Sequence, residues 1–209
     1  MSTEKINKKN SNAHNKLQRL AEIAKLSKII FHSKDLANLW QIKNANTLHT
    51  TLKRYTKAGI LFRIYKGFYS IKPINNLDFL LLGAKALHRF CFVTTETILQ
   101  KHGVILQSND QITFVSPISK RFSIGKHNYY SRKLADKYLY NPAGVYFSDG
   151  VKIATIDRAI ADILYFNPNV YFDAEKFINW KNIKKMQKAI GYPLTLKRYD
   201  FAKSKRRAT

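Results

Sequence analysis

The residues best equipped to act on a partner are cations, amides and hydroxyls gathered between positions 46 and 66. Asn46, Thr47, His49, Thr50, Lys53, Arg54 and Lys57 come first, and Arg63 and Lys66 follow closely. At roughly 100° per helical residue, Asn46, His49, Thr50, Lys53 and Lys57 share one side of a helix, with Arg54 at its edge. Leu48, Thr51, Leu52 and Tyr55 share the other side. Amides and cations on an exposed helical stripe can read base edges in a major groove and hold phosphates. On an isolated helix the same stripe would merely be solvated, so the neighbouring elements decide its meaning.

Catalytic constellations are hard to assemble from this chain. Cys91 lies in the apolar run Phe90-Cys91-Phe92-Val93 and reads as a buried small hydrophobe rather than a nucleophile. The six histidines follow no metal-ligand spacing, and there is neither a G-x-S-x-G elbow nor a phosphate-binding G-x-x-x-x-G-K-[ST] loop. A metal-dependent nuclease is the serious enzyme competitor for a basic protein, yet no Asp or Glu has Lys two positions later. Asp173-Ala174-Glu175 could mimic a metal pair, but Asp173 reads more simply as a helix cap. Asp157 and Asp162 fit helix-start and helix-surface roles. The expectation is a protein that is not an enzyme and needs no cofactor or metal.

Charge points the same way. The 209 residues carry a formal net charge of +24 with 45% hydrophobic residues, enough apolar material for real cores. Residues 1–76 contribute +12, residues 77–170 only +4, and residues 171–209 another +8. Such a surface concentrates polyanions around itself. Phe79-Leu80-Leu81-Leu82 is a core-sized apolar run, far short of the ~20 residues of a spanning helix. With no apolar leader in its lysine-rich start and one cysteine, the chain reads as cytoplasmic, with nucleic acid rather than membrane as its partner.

The elements that must position the basic stripe are three helices and a hairpin. Leu17, Leu20, Ala21, Ala24 and Ile29 recur at helical spacing and predict a first helix over 15–30, which Phe31-His32 interrupts. Ser33 is placed to cap a second helix over 34–40, with Asp35 at its positive end and Leu36, Leu39 and Trp40 facing inward. Asn44 or Asn46 can cap the third, which runs to Ala58 and stops at Gly59. Alternating strands over 60–65 and 68–71 then flank a Lys66-Gly67 turn. Helix, helix, turn, helix and hairpin predict a winged helix-turn-helix over 16–73, with Arg63 and Lys66 on the wing and a basic arm, disordered, over 1–15.

Residues 77–170 read as a small α+β domain. A hinge at Asn75-Asn76 precedes a helix over 77–90, a strand at Phe92-Val93, and a helix to Gly103 capped by Thr94 or Thr95. Strands are expected at 110–117, 121–124, 126–133, 144–147 and 151–154, with Ser148-Asp149-Gly150 as a turn and Thr155 capping a helix to Tyr165. A basic helical segment and tail, 171–209, completes the α+β plan, and Lys203-Ser204-Lys205-Arg206-Arg207 is too polar to pack.

Four stretches carry a family resemblance. The run Leu52-Lys53-Arg54-Tyr55-Thr56-Lys57-Ala58-Gly59-Ile60-Leu61-Phe62-Arg63-Ile64-Tyr65-Lys66-Gly67-Phe68-Tyr69 resembles the helix-to-wing segment of AbiEi-type antitoxins. Upstream, Phe31-His32-Ser33-Lys34-Asp35-Leu36-Ala37 is similar to the start of that family's second helix. Thr94-Thr95-Glu96-Thr97-Ile98-Leu99-Gln100-Lys101-His102-Gly103-Val104-Ile105 and the stretch from Ile153 to Tyr165 resemble two later family segments, with Ile156-Asp157 where the family often has Pro-Glu. The resemblance spans about residues 16–170. It implies a transcriptional regulator of a type IV toxin–antitoxin (abortive infection) system, which autoregulates its operon and counteracts a nucleotidyltransferase toxin. Double-stranded operator DNA is then the first partner, with an inverted repeat, a homodimer and the toxin contact left open. Two alternatives stand beside it: a partner-binding antitoxin that does not read DNA, and a nucleic-acid-binding nuclease or RNA-binding module.

Overall fold

The structure is a computed structural model that describes residues 17–107 and 110–195. The chain divides into two compact units, Met1–Leu77 and Asp78–Thr209, each with its own sheet. The architecture is mixed α+β. The basic arm expected at 1–15 and the tail from Lys203 to Arg207 lie outside the described residues.

In the first unit, helix α1 covers residues 17–25, shorter than its periodicity implies. Ser27 takes a left-handed φ of 49° that breaks the helix, and Ile30–His32 form strand β1. Ile29, counted above as the last apolar residue of the helix, therefore lies outside it. The strand exists because of a distant partner: Ile30 pairs with Ser70, Phe31 with Tyr69 and His32 with Phe68. Helix α2, Ser33–Leu39, begins one residue before the expected start, with His32 as its N-cap. Ser33 is therefore the first helical residue rather than the cap, and its amide donates to the Gly67 carbonyl at 2.8 Å. The Asp35 carboxylate instead accepts from the His32 amide at 3.1 Å.

Helix α3, Ala45–Lys57, is capped by Asn44, whose side chain accepts from the Thr47 amide at 3.1 Å. Asn46 thus stands inside the helix rather than at its cap. Gly59, at φ +69°, turns the chain out of α3. Strands β2, Phe62–Tyr65, and β3, Phe68–Ser70, form an antiparallel hairpin, and the sheet order is β1-β3-β2. The core of the unit gathers Ile23, Phe31, Leu36, Trp40, Leu52, Tyr55, Leu61 and Tyr69. Trp40 meets Tyr55 edge-on with ring centroids 5.4 Å apart.

The second unit is built on a six-stranded sheet in the order β6-β7-β5-β4-β9-β8. Its strands are β4 Phe92–Val93, β5 Gln111–Ser116, β6 Lys120–Ile124, β7 His127–Lys133, β8 Val145–Ser148 and β9 Val151–Ala154. The β5–β7 and β4–β9 pairs are parallel and the rest antiparallel. Helix α4, Phe79–Leu87, crosses one face, where a Cβ on Gly83 would collide with the Tyr129 ring. The remaining helices are α5 Glu96–Lys101, the short α6 Asp136–Leu139, which the sequence patterns do not announce, α7 Ile156–Phe166 and α8 Trp180–Ile190. Helix α8 packs on α7, so residues 171–195 belong to this unit rather than forming a separate segment.

Four polar side chains take roles other than those their spacing predicts. Neither Thr94 nor Thr95 caps α5 through its side chain: the Thr94 hydroxyl donates to Asp162 at 2.7 Å, and the Thr95 hydroxyl to Thr113 at 3.1 Å. Asp173 caps no helix, because its carboxylate accepts from the Leu106 amide at 2.7 Å and ties down that loop. Asp162 is not on a helix surface; it is fully buried.

Asp162 lies at the centre of a buried network. Arg158, also fully buried, donates through Nε to Asp162 at 2.8 Å. Its other nitrogens donate to the carbonyls of Asn141, Ala143 and Tyr138 at 3.0, 2.9 and 3.0 Å. The Tyr192 hydroxyl donates to the same Asp162 oxygen at 2.7 Å. Burial pushes the Asp162 carboxyl up from its ordinary range, while Arg158 and the two hydroxyl donors pull it back. Every charge in the network has its partners, which is the condition for a buried ion pair to be tolerated. Removing one member leaves an uncompensated charge in the core. Asp162→Ala is expected to cost the second unit about 3–5 kcal/mol in a denaturant melt; a loss below about 1 kcal/mol would show that the network is incidental.

Candidate nucleic-acid interface

Packing decides which side of α3 meets solvent. Thr51, Leu52 and Tyr55 are buried, and Leu48 packs partly against the same core. Asn46, Thr47, His49, Thr50, Lys53, Arg54 and Lys57 are all exposed. The hairpin rises beside the helix along a connection with little freedom. The amides of Ile60 and Leu61 both donate to the Tyr55 carbonyl, at 3.0 and 3.3 Å, and Leu61 is fully buried. The turn is held as well, since Gly67, at φ +80°, receives the Ser33 amide on its carbonyl. At the root of β3, Phe68 is fully buried between His32 and Tyr65, with ring centroids at 4.7 and 4.8 Å.

Between helix and hairpin runs an open groove of about 720 Å³. From α3 it is lined by His49, Thr50, Lys53, Thr56 and Lys57, and from the hairpin by Arg63, Lys66, Gly67 and Tyr69. Six of the nine residues singled out from the sequence therefore converge. The other three do not line the groove: Asn46 and Thr47 lie in the first turn of α3, and Arg54 lies on its flank. Thr56 and Tyr69 were missed. Thr56 sits one helical turn beyond Lys53, but its hydroxyl is committed to the Leu52 carbonyl at 2.9 Å. Tyr69 is directly opposite Arg63 in the hairpin register, a signal available only once the strands are paired.

Four cations and no carboxylate line this groove. Among the described residues the ion pairs are Arg132–Glu96 and Arg158–Asp162, both in the second unit. Lys53, Lys57, Arg63 and Lys66 thus concentrate positive potential, with no carboxylate among the described residues paired to them. A low-dielectric wall on one side focuses that field into the groove. Hydroxyls and an imidazole on the α3 side add donors and acceptors of the kind that contact bases.

The other reactive groups are otherwise engaged. Cys91 is buried, its Sγ 3.8 Å from the Ala84 carbonyl. Burial pushes its thiol up to about 12, with Lys85 opposing only in part. Among the described residues no three His, Cys, Asp or Glu side chains cluster as metal ligands, and no helix is long and apolar enough to cross a membrane.

No protein-family model and no curated protein matches the chain. Among solved structures it is similar to the Rv2827c protein from Mycobacterium tuberculosis, at 11% identity and a TM-score of 0.47. The match covers 84% of this chain and 71% of that one.

The buried thiol gives a direct check on the reading of Cys91. Because the folded state holds the proton until far above neutral pH, iodoacetamide should label native protein slowly at pH 8 and rapidly once denaturant exposes the thiol. Fast native labelling, followed by mass spectrometry, would mark Cys91 as an accessible nucleophile.

Proposed function

We propose that the first unit is a winged helix-turn-helix that binds duplex DNA, with α3 as recognition helix and the β2–β3 hairpin as wing. The observation that carries the proposal is the groove between them, with four unneutralised cations and no carboxylate. A helix of 13 residues with one polar stripe suits a major groove about 12 Å wide. Asn46, Thr50 and Lys53 share the stripe nearest the base edges. Arg63 and Lys66 sit where a flexible cation meets phosphate. In this reading the protein is a cytoplasmic transcriptional regulator that acts without catalysis or cofactor. The resemblance to AbiEi-type antitoxins supports an operator in its own promoter and a nucleotidyltransferase toxin as the partner of the second unit.

The test separates reading from holding. Each variant, after circular dichroism confirms folding, is titrated with an operator duplex and a random duplex. Asn46→Ala and Lys53→Ala should lower the operator-to-random ratio, because a base contact discriminates by ~1–3 kcal/mol. Lys66→Ala should weaken both duplexes alike and make the slope of log affinity against log salt shallower by about one unit. An unchanged ratio in Asn46→Ala and Lys53→Ala would remove α3 from the role of recognition helix. Absence of any duplex binding at low salt would end the DNA reading and leave the partner-binding antitoxin or an RNA-binding module.

A further inference from the structure

The two edges of the six-stranded sheet are treated in opposite ways. Strand β6 is one edge, and it presents Lys120 and Arg121 to solvent. Charges of this kind deter a foreign strand from pairing. Strand β8 is the other edge, and Val145-Tyr146-Phe147-Ser148 contains no charge, no proline and no irregularity in its pairing with β9. Its aromatic side chains are left in water, Phe147 at 70% exposure and Tyr146 at 48%. More aromatic surface lies alongside. Lys152 stands opposite Phe147 in the register and lays its ammonium 4.8 Å from the Phe90 ring centroid. Phe90 in turn meets Tyr140, which is 55% exposed, at 4.8 Å. A neutral, flat edge beside an apolar patch is a template for another strand.

We infer that β8 is the dimerisation edge of this protein, where it pairs antiparallel with β8 of a second copy. The register follows from the hairpin. Asp149 and Gly150, at φ 49° and 83°, form a two-residue turn of the type with both central residues left-handed, closed by the pair Ser148 and Val151. Hydrogen bonding alternates along an antiparallel strand, so the backbone N–H and C=O of Phe147 point away from β9. A two-fold axis normal to the sheet keeps each face on its own side, and opposed residues share a face. It must therefore run through one residue matched with itself. An axis at Tyr146 would pair Phe147 with Val145, whose amide is already taken by the Pro142 carbonyl at 3.0 Å. Phe147, with its backbone outward, is therefore that residue, and the two copies exchange N–H···O bonds there and bring their Phe147 rings together on the face that carries Phe90. The absence of charge on β8 is what lets a second copy of so basic a chain approach at this point. This inference is independent of the DNA reading, although a two-fold dimer would carry two first units suited to a symmetric operator.

The experiment is sedimentation equilibrium of the full chain over a wide concentration range at 1 M salt. There the Debye length of about 3 Å screens the +24 charge. The mass should rise toward twice that of one chain, and Phe147→Lys should hold it at one chain with unchanged circular dichroism. The register is tested by oxidation of Phe147→Cys. Opposed hydrogen-bonded residues have Cα atoms about 5.5 Å apart, inside the roughly 4.4–6.8 Å that a disulfide spans. This variant should form a covalent dimer, while Ser123→Cys on β6 should not; the native Cys91 is buried and contributes no background. A wild-type mass of one chain throughout, as expected if β8 serves another protein's strand, overturns the inference. So does a dimer that survives Phe147→Lys, or equal cross-linking through Ser123→Cys.

Discussion

Burying Thr51, Leu52 and Tyr55 fixes the rotation of α3 about its axis, and the functional reading of the first unit follows from that rotation. A helix with apolar residues on one side and cations on the other has a single way to dock. Leu52 is 2% exposed and Tyr55 6%, and removing apolar side chains of this size from water contributes about 1.5–3 kcal/mol each. Turning α3 by a quarter would expose them and bury Lys53 or Arg54 instead. Gly59 and the two amides on the Tyr55 carbonyl then carry the orientation into the hairpin, and the Ser33–Gly67 hydrogen bond holds the hairpin tip against the start of α2. The cations of helix and hairpin converge because the core leaves them no other place.

The second unit uses charge differently. Arg158 and Asp162 are both sequestered, and together they join α6, the loop before β8, Thr94 just after β4, and Tyr192 to α7. Arg132 pairs with Glu96 across β7 and α5 while resting its guanidinium on Tyr130, 5.3 Å from the ring centroid. Structural arginines of this unit are thus neutralised in place. Among the described residues, Lys53, Lys57, Arg63 and Lys66 of the first unit's groove have no such carboxylate.

Much of this was legible in the sequence wherever the signal is local. The two faces of α3 follow from spacing alone, as do the Lys66-Gly67 turn and Thr155 as the cap of α7, where its hydroxyl accepts from the Arg158 amide at 3.3 Å. What escaped depends on partners far along the chain. Strand β1 forms only because β3, some forty positions later, supplies its ladder. Ser33 has every local qualification to cap α2, yet the helix starts one residue early, with His32 as its N-cap and the Ser33 amide on the distant Gly67 carbonyl. Asp162 looks like a solvent-facing helix residue until Thr94 and Tyr192 close over it from distant segments. The order of the large sheet, with parallel pairs between β5 and β7 and between β4 and β9, leaves no periodic trace in any one stretch. Of the candidate site, the α3 stripe and both hairpin cations could be named in advance, whereas the groove that gathers six of those residues could not.

The most direct test of the central claim is an amide chemical-shift map of the isotopically labelled full chain titrated with duplex DNA. The account predicts that the largest shifts fall on α3 from Asn46 to Lys57 and on the hairpin around Arg63, Lys66 and Gly67, and that raised salt reverses them. Shifts confined to residues beyond Asp78, with α3 and the hairpin unmoved, would contradict it.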